Sequence, residues 1–473
     1  MGLRAPDELL DREDEWARLE RSWEAERPEL IFVMGRRRIG KSFFLSRFAQ
    51  ATGGIYYQAT RRTEAEQRAS LSRRFGEFFD DPGLRSGAVL PTWEGIFDYL
   101  TRQLDDRPFL LVLDEFPYLS AAVPSLTSVI QRFWDHEWQD SRLRLVLCGS
   151  YISAMKQLEK VDQPLYGRRT TRLSFKPFTC REAAQFVPGW SDEEKFLLYG
   201  TVGNLPGHLA IVDGDQSLAK NVGELFLDRG GRLLDEAEHM LDAFVADANV
   251  HYSIIEAIAT GEQTWSGITK RVGKSGGALS RPLKWLEEMQ LVERVVPITE
   301  KNPGRSKRAL YRISDPYLSF WHSFIAPLVQ SGSVGLADPD QMWTDRIRPG
   351  LDHHMGTVFE QICREYVSLG EGLPFQPMRV GSWWDSNNQN EVDVVALSTK
   401  DELFAGECKW GNVSGRDLQK LRSRARHIAN ELKNVGELHL GLFSGRGEFD
   451  PVVEEAAENG EVMLVGPDKL LNR

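Results

Sequence analysis

Cysteine is scarce in this sequence: four residues in 473, too widely scattered for a disulfide framework or a zinc cluster. No apolar run approaches the ~20 residues that a membrane-spanning helix needs. The first residues, MGLRAPDELLDREDEW, are acidic and lack the apolar core of a secretion signal. Basic residues are not in excess, since the net charge is −11. We therefore expect a cytoplasmic protein with reduced thiols and no membrane contact, in which a nucleic-acid site is a local basic patch.

The hydrophobic pattern divides the chain into four parts. Over the first ~180 residues, apolar β-branched runs alternate with helical stretches, which predicts an α/β domain over 1–178 with a mainly parallel sheet. A helical pattern follows over 179–247, and three short helices with a hairpin follow over 248–326. The segment Pro327–Pro339, rich in Gly, Ser and Pro, is a predicted linker before a second α/β domain over 340–473. The five predicted strands of the first domain are Leu30–Met34, Gly54–Tyr57, Phe109–Leu113, Leu143–Leu147 and Thr171–Phe175.

A phosphate-binding loop follows the first predicted strand. The sequence LIFVM-GRRRIGKS-FFLSRFAQ places G-x-x-x-x-G-K-S between a strand and a helix, the setting that this motif requires. The two glycines allow the tight backbone whose N–H groups surround phosphates, Lys41 reaches the β- and γ-phosphates, and Ser42 binds Mg²⁺. The alternative, a glycine turn that arose by chance, does not explain why a strand precedes the loop and a helix follows it. We therefore predict that ATP is bound by Gly35, Arg36, Arg37, Arg38, Ile39, Gly40, Lys41, Ser42 and Phe43.

Polar residues at the ends of later strands complete this predicted site. FLLVLDEF ends in Asp114, which can hold Mg²⁺, and Glu115, which can polarise the attacking water as general base. After the strand LRLVL, Ser150 is a candidate sensor of the γ-phosphate, although an ordinary turn remains an alternative. In PLYGRRTTRLSF, Arg168 or its neighbour Arg169 is a candidate arginine finger on another subunit of a homo-oligomer, or one of two surface arginines.

The motifs GRRRIGKS, VLDEF, CGSYISAM, PLYGRR and GNLPG, in this order, resemble the archaeal-type ATPases of the AAA+/STAND group. The resemblance covers the first ~210 residues and implies an ASCE-type P-loop sheet with a helical lid over 179–247 that closes the nucleotide site. It also implies that Pro206 lies near the base of the nucleotide. No arginine follows Pro206 closely enough to act as the lid sensor, so motor-like and switch-like hydrolysis both stay open.

The segment 251–325 is predicted to form three helices and a hairpin. The helices are HYSIIEAIATG, TWSGITKRVG and SGGALSRPLKWLEEMQ, and the hairpin is LVERVVPIT with RALYRIS. This order of elements is similar to a winged helix-turn-helix domain. This segment has eleven Lys or Arg against seven Asp or Glu. The third helix would enter a DNA major groove and the hairpin tip would meet phosphates, unless the domain only packs against protein. The basic residues are Arg281 and Lys284 on the helix, and Lys301, Arg305, Lys307 and Arg308 at the tip.

Paired carboxylates occur in the C-terminal segment EVDVVALSTKDELFAGECKW. A hairpin symmetric about Lys400 places Asp393 opposite Glu407 and Glu391 opposite Lys409, all on one sheet face. Opposed carboxylates destabilise a sheet unless a cation lies between them, and Mg²⁺ favours carboxylate oxygens. Lys409 would then orient a water molecule or offset charge at a scissile phosphate.

Together with Glu360 in the upstream helix GTVFEQICREYV, this pattern resembles the PD-(D/E)xK nucleases over Gly356–Phe443. The resemblance implies an α/β restriction-endonuclease-like fold and a Mg²⁺-dependent deoxyribonuclease. Its metal ligands would be Glu360, Asp393 and Glu407, and its catalytic residues Asp393, Glu407 and Lys409. A surface hairpin with a Glu391–Lys409 ion pair, or a decayed nuclease without the metal, are the alternatives.

Two functions follow from these patterns. The first is an ATP-regulated DNA-processing protein that uses ATP and Mg²⁺. The second is a STAND-like signalling or transcription switch, in which the C-terminal domain only binds nucleic acid or a partner.

Overall fold

The chain folds as two units, Met1–Pro177 and Phe178–Arg473, which are described separately below. A computed structural model describes residues 3–242, 248–387, 389–433 and 435–472. The unit boundary lies one residue from the predicted end of the first α/β domain. The further divisions within the second unit stay predictions.

A five-stranded parallel sheet forms the centre of the first unit, in the order β2-β3-β4-β1-β5. The predicted parallel α/β arrangement is therefore confirmed, with strand ends shifted by one or two residues. The two central strands β1 and β4 are apolar and almost wholly buried, as expected where helices cover both faces of a parallel sheet. The strands are β1 (Glu29–Met34), β2 (Ile55–Gln58), β3 (Phe109–Asp114), β4 (Leu143–Gly149) and β5 (Thr171–Ser174).

Helices connect these strands, and several begin at side-chain caps. Thr63 and Thr92 each accept a hydrogen bond from the backbone N–H three residues later, which satisfies a free donor at the start of a helix. The helices of the first unit are α1 (Glu13–Glu24), α2 (Lys41–Thr52), α3 (Glu64–Phe79), α4 (Pro82–Arg85), α5 (Trp93–Gln103), α6 (Phe116–Ala122), α7 (Leu126–His136) and α8 (Ile152–Gln157).

The second unit begins with a run of helices, and three further helices and an antiparallel hairpin follow, as the pattern over 248–326 predicts. The early helices are α9 (Cys180–Ala184), α10 (Asp192–Thr201), α11 (Pro206–Leu209), α12 (Leu218–Val222), a π-helical turn (Gly223–Leu227) and α13 (Glu236–Asp242). The next elements are α14 (Ala248–Ala259), α15 (Trp265–Val272), α16 (Gly276–Glu288), β6 (Val292–Val295), a 3₁₀ turn (Pro303–Arg305) and β7 (Leu310–Ile313).

Part of the predicted linker is helical. Pro327 lies within the first turn of a helix, a position where the missing N–H of proline loses no hydrogen bond. The elements of this region are α17 (Pro316–Phe320), a π turn (Trp321–Ile325), α18 (Ala326–Gln330), α19 (Pro339–Met342), a second π turn (Trp343–Ile347) and α20 (Arg348–Leu369).

A second five-stranded sheet, of order β12-β11-β10-β9-β8, follows α20. The pairs β8–β9 and β9–β10 are antiparallel, whereas β10–β11 and β11–β12 are parallel. The chain therefore runs helix, three strands, helix, strand through this layer. The elements are β8 (Arg379–Trp384), β9 (Glu391–Leu397), β10 (Glu402–Lys409), α21 (Gly415–Leu432), β11 (Glu437–Ser444), α22 (Pro451–Glu458), β12 (Met463–Val465) and α23 (Pro467–Leu471).

The segment after β6 lies along β8, the edge strand of this second sheet. Ile298 N–H donates to the Ser382 carbonyl at 2.9 Å, and Arg379 donates to the Ile298 carbonyl at 2.8 Å. The Ile298 side chain is buried in the same apolar cluster as Trp383. Arg308, expected at an open hairpin tip, instead donates to the Trp384 carbonyl, because an edge strand offers unpaired carbonyl groups. The hairpin thus covers a sheet edge.

A search of the described residues for a long, apolar helix that could cross a membrane finds none.

Candidate functional site

The loop between β1 and α2 has the tight backbone that its glycines allow. Gly40, just before α2, has φ 90°, a left-handed value that side chains disfavour. Gly35 lies so close to β5 that an added Cβ would be 2.9 Å from the Phe175 carbonyl oxygen. Arg38 also has a positive φ, 62°. Larger residues at the two glycines would therefore distort the loop.

Lys41, the first residue of α2, folds back over this loop. Its Nζ donates to the carbonyls of Gly35 at 2.7 Å and Arg36 at 2.9 Å, and to Ser150 Oγ at 3.0 Å. Only 4% of the residue is exposed. Burial lowers the pKa of Lys41, and the nearby Glu115 and Asp114 carboxylates oppose that shift. The loop thus holds a cation where a triphosphate would bring negative charge.

A hydroxyl and a carboxylate meet beside Lys41. Ser42 Oγ donates to Asp114 Oδ2 at 2.6 Å, and Asp114 is fully buried at the carboxyl end of β3. Hydroxyl and carboxylate oxygens are the ligands that Mg²⁺ prefers, so the two residues predicted for the metal fit it. Gln58 is paired in register with Asp114, which brings strand β2 alongside this site.

Tyr56 on β2 is a site residue that the sequence reasoning missed. Its hydroxyl donates to Asp114 Oδ2 at 2.6 Å. Burial raises the pKa of Tyr56, and the Asp114 charge raises it further, so the phenol remains a neutral donor. The sequence signal is weak because only the pairing of β2 with β3 brings Tyr56 to this carboxylate.

Ser150 joins Lys41 to the predicted general base. Its Oγ donates to Glu115 Oε1 at 2.8 Å while it accepts from Lys41 Nζ. Glu115 has φ 52°, a left-handed backbone value that costs free energy in a non-glycine residue. The three residues, from α2 and the ends of β3 and β4, therefore lie together, and their roles as phosphate-binding lysine, base and sensor stay predictions.

The remaining residues that were predicted to bind the nucleotide differ in their burial. Arg36 and Ile39 are buried in the loop, whereas Arg37, Arg38 and Phe43 are exposed. Pro206 lies in the second unit, where it begins α11. Its place near the base of the nucleotide stays a prediction.

Arg168 forms a two-point ion pair within its own unit. Its Nε and Nη2 donate to the two Asp135 oxygens at 2.7 and 2.6 Å. The hydrogen bond with Asp135 raises the pKa of Arg168, and the same bond lowers the pKa of Asp135. Its neighbour Arg169 pairs with Glu159 at 2.8 Å. An arginine finger would have to leave this pair, and that role stays a prediction.

In the second unit, β9 and β10 pair in the register expected for a hairpin centred on Lys400. Val394 is paired with Gly406, so the next positions, Asp393 and Glu407, are opposed. Both carboxylates are buried, and Asp393 Oδ2 accepts the Cys408 N–H at 2.8 Å. Burial raises the pKa of Asp393, and the nearby Glu360 and Glu407 raise it further.

Cations of the chain surround these carboxylates. Glu407 pairs with Lys409 Nζ at 2.8 Å and with Arg424 at 3.2 Å. Glu360 on α20 pairs with Arg312 of β7 and with Arg364, each at 3.6 Å. No sequence pattern indicated these three arginines. Arg312 lies on an element distant along the chain, and Arg364 and Arg424 lie on helix faces that carry no motif.

The alternative Glu391–Lys409 ion pair does not form. Glu391 pairs with Arg312 at 3.3 Å, and Lys409 pairs with Glu407. Arg312 belongs to β7, which lies outside this hairpin, so the hairpin pattern alone could not predict the pair between Arg312 and Glu391.

Across the described ranges, the group of three metal-ligating side chains within 4.8 Å of one another is Glu402, Glu437 and His439, at the amino-terminal ends of β10 and β11. The triad Glu360, Asp393 and Glu407 therefore stays a prediction. Glu360 pairs with Arg312 and Arg364, whereas Glu407 pairs with Arg424.

Known proteins resemble both parts of the chain. Residues 9–212 match a family model described as an ATPase domain predominantly from Archaea, and residues 321–421 match archaeal and bacterial proteins of unknown function. An uncharacterized protein of Methanocaldococcus jannaschii is 28% identical over 471 residues, which cover 96% of this chain and 98% of that protein. A second uncharacterized protein of that organism is 34% identical over 55 residues, 12% of this chain and 53% of that protein.

Among solved structures, the Walker-type ATPase of Pyrococcus abyssi is similar, with a TM-score of 0.51 and 20% identity, over 68% of this chain and 98% of that one. At this identity the likeness concerns the fold alone. The family match and the geometry of the loop support an archaeal P-loop ATPase domain over residues 9–212.

Proposed function

We propose that this protein is an ATP-dependent DNA-processing enzyme. Its ATPase domain would act with a winged-helix domain that binds DNA and with a C-terminal domain that cuts phosphodiesters with Mg²⁺. The observation that carries the nuclease part is the buried, opposed pair Asp393 and Glu407 with Lys409 beside it.

In the ATPase site, each residue has a role that its contacts support. Lys41 binds the β- and γ-phosphates in exchange for the loop carbonyls that it now contacts. Ser42 and Asp114 hold Mg²⁺, which neutralises charge on the phosphates when bound. Glu115 orients and polarises the attacking water, and Ser150 couples this base to Lys41.

In the C-terminal domain, two buried, opposed acids with one hairpin cation, Lys409, beside them support a metal site. Buried carboxylates cost free energy unless paired or bound to a metal. Carboxylate oxygens suit Mg²⁺, so the donors present fit this ion. The order helix, three strands, helix, strand through this layer agrees with the fold that the PD-(D/E)xK resemblance implies.

Binding of DNA by the winged helix is supported by exposed basic residues. Arg281 and Lys284 are exposed on α16, and Lys301, Arg305 and Lys307 are exposed in the hairpin loop. Such residues provide the phosphate contacts that dominate DNA affinity. Arg308 and Arg312 take no part, because each is engaged by the C-terminal domain.

A nuclease assay tests the proposal. The full chain is incubated with linear, nicked and single-stranded DNA, with Mg²⁺ or Mn²⁺, in the presence and absence of ATP. We expect cutting that Asp393→Asn or Glu407→Gln abolishes while ATP hydrolysis stays near normal. Glu458→Gln, which changes an exposed acid on α22, is the control and should cut like the wild type. If the wild type leaves every substrate intact under all conditions, the nuclease part is wrong.

The second candidate is an ATP-dependent switch whose C-terminal domain only binds. The cations around the carboxylates favour it, because Lys409 and Arg424 already neutralise Glu407, and Arg312 and Arg364 already neutralise Glu360. Thermal stability during a Mn²⁺ titration separates the two candidates. A metal-binding site stabilises the wild type more than Asp393→Asn, whereas equal responses favour the switch.

A further inference from the structure

One face of α21 carries hydrogen-bonding side chains and no carboxylate. Six such residues follow one another at spacings of one or three positions, so they form a continuous stripe along the helix. The stripe lines an open groove of about 530 Å³, and its members are Gln419, Arg422, Ser423, Arg426, His427 and Asn430.

This helix is basic within an acidic chain. It contains five Lys or Arg residues and two acids, whereas the whole chain has a net charge of −11. Both acids are engaged away from the stripe. Asp417 accepts from Ser414 Oγ at 2.6 Å, and Glu431 accepts from Trp383 Nε1 and Thr299 Oγ1, each at 2.8 Å. The stripe therefore presents donors and positive charge with no acid from its own helix, and Glu461, from the segment after α22, pairs with Arg422.

The opposite face of α21 anchors the stripe. Leu418, Leu421, Ala425 and Ile428 are buried in the apolar cluster of the second sheet. His427 lies against the buried Trp383, with 5.4 Å between ring centroids. Arg422 is half-buried and paired with Glu461. These contacts orient the donors before a ligand arrives, which lowers the entropy cost of binding.

We propose that this stripe binds the phosphodiester backbone of a nucleic acid. Guanidinium, imidazole, amide and hydroxyl groups are the donors that contact phosphates, and such contacts carry no sequence preference. From its first to its last residue the stripe spans roughly 16 Å, which matches the rise of about five base pairs. This inference goes beyond the proposed function, because it requires neither the winged helix to bind nor the carboxylates to cut.

Fluorescence anisotropy of a labelled 20-base-pair DNA duplex on the full chain, at several KCl concentrations, tests the inference. The double variant Arg422→Ala/Arg426→Ala should raise Kd at least tenfold and reduce the slope of log affinity against log salt by about 2. The control, Arg229→Ala/Arg232→Ala, removes the same charge from exposed positions of the second unit outside α21 and should change Kd less than threefold. Arg422→Lys/Arg426→Lys should restore most of the affinity.

Three results would overturn the inference. Equal losses in the stripe and control variants would indicate diffuse attraction rather than a site. Competition by polyglutamate as effective as that by unlabelled duplex, at equal charge, would indicate a surface for acidic polypeptides. If Arg281→Ala/Lys284→Ala loses DNA binding and the stripe variant does not, the DNA-binding site is on the winged helix alone. The reverse result would support the stripe and would contradict the winged-helix part of the proposed function.

Discussion

Glu365 on α20 is a carboxyl group whose protonation should control the stability of the second unit. Its Oε1 accepts from Tyr199 Oη at 3.0 Å and from Gln361 Nε2 at 3.2 Å. Although part of the residue reaches the surface, Oε2 is buried and has no hydrogen-bond partner among the described residues. Burial raises the pKa of Glu365 to about 7, against 4.5 for an ordinary glutamate.

This pKa gives the sign and the size of the effect. The native state binds the proton more tightly than the unfolded chain, so the stabilisation is complete below pH 4.5 and is lost as the pH rises through 7. Each pKa unit corresponds to about 1.4 kcal/mol, so the total change is roughly 3 kcal/mol. Glu365→Gln keeps the shape and stays neutral. Relative to the wild type, the variant should therefore gain about 3 kcal/mol between pH 4.5 and 8.

Urea unfolding followed by tryptophan fluorescence, at pH values from 4.5 to 8, measures this difference. The midpoint of the variant minus that of the wild type should grow steadily with pH, and comparing midpoints avoids assuming a two-state transition for the whole chain. The exposed Glu458→Gln serves as control and should follow the wild type at every pH. A midpoint difference that stays constant from pH 4.5 to 8 would refute the assignment of this titration to Glu365.

Three further predictions concern the ATPase site. Lys41→Ala should abolish ATP hydrolysis in a phosphate-release assay, because it removes the buried cation of the loop; unchanged release would contradict the site. Tyr56→Phe should weaken activation by Mg²⁺ about tenfold, since Asp114 loses a donor worth roughly 1–2 kcal/mol, whereas Tyr57→Phe, whose hydroxyl contacts Gln67, should not. Glu115→Gln should retain binding of a fluorescent ATP analogue but lose at least a hundredfold in hydrolysis rate, and a loss of both would assign Glu115 a structural role.

Local patterns in the sequence were sufficient for several features of this protein. The five strands of the first sheet are short apolar runs, and the phosphate loop is a contiguous motif between a strand and a helix. The opposition of Asp393 and Glu407 follows from the two-residue period of strands around a single turn. Each of these features depends on neighbours within about 20 residues, so the order of residues determines it.

Contacts between distant segments were decided only by the tertiary structure. Tyr56 reaches Asp114 because β2 pairs with β3, and Arg312 reaches Glu360 because the hairpin packs beside α20. Ile298 lies on the edge of the second sheet for the same reason. No periodicity encodes such pairings, since they depend on which apolar faces and unpaired sheet edges find one another when the whole chain packs.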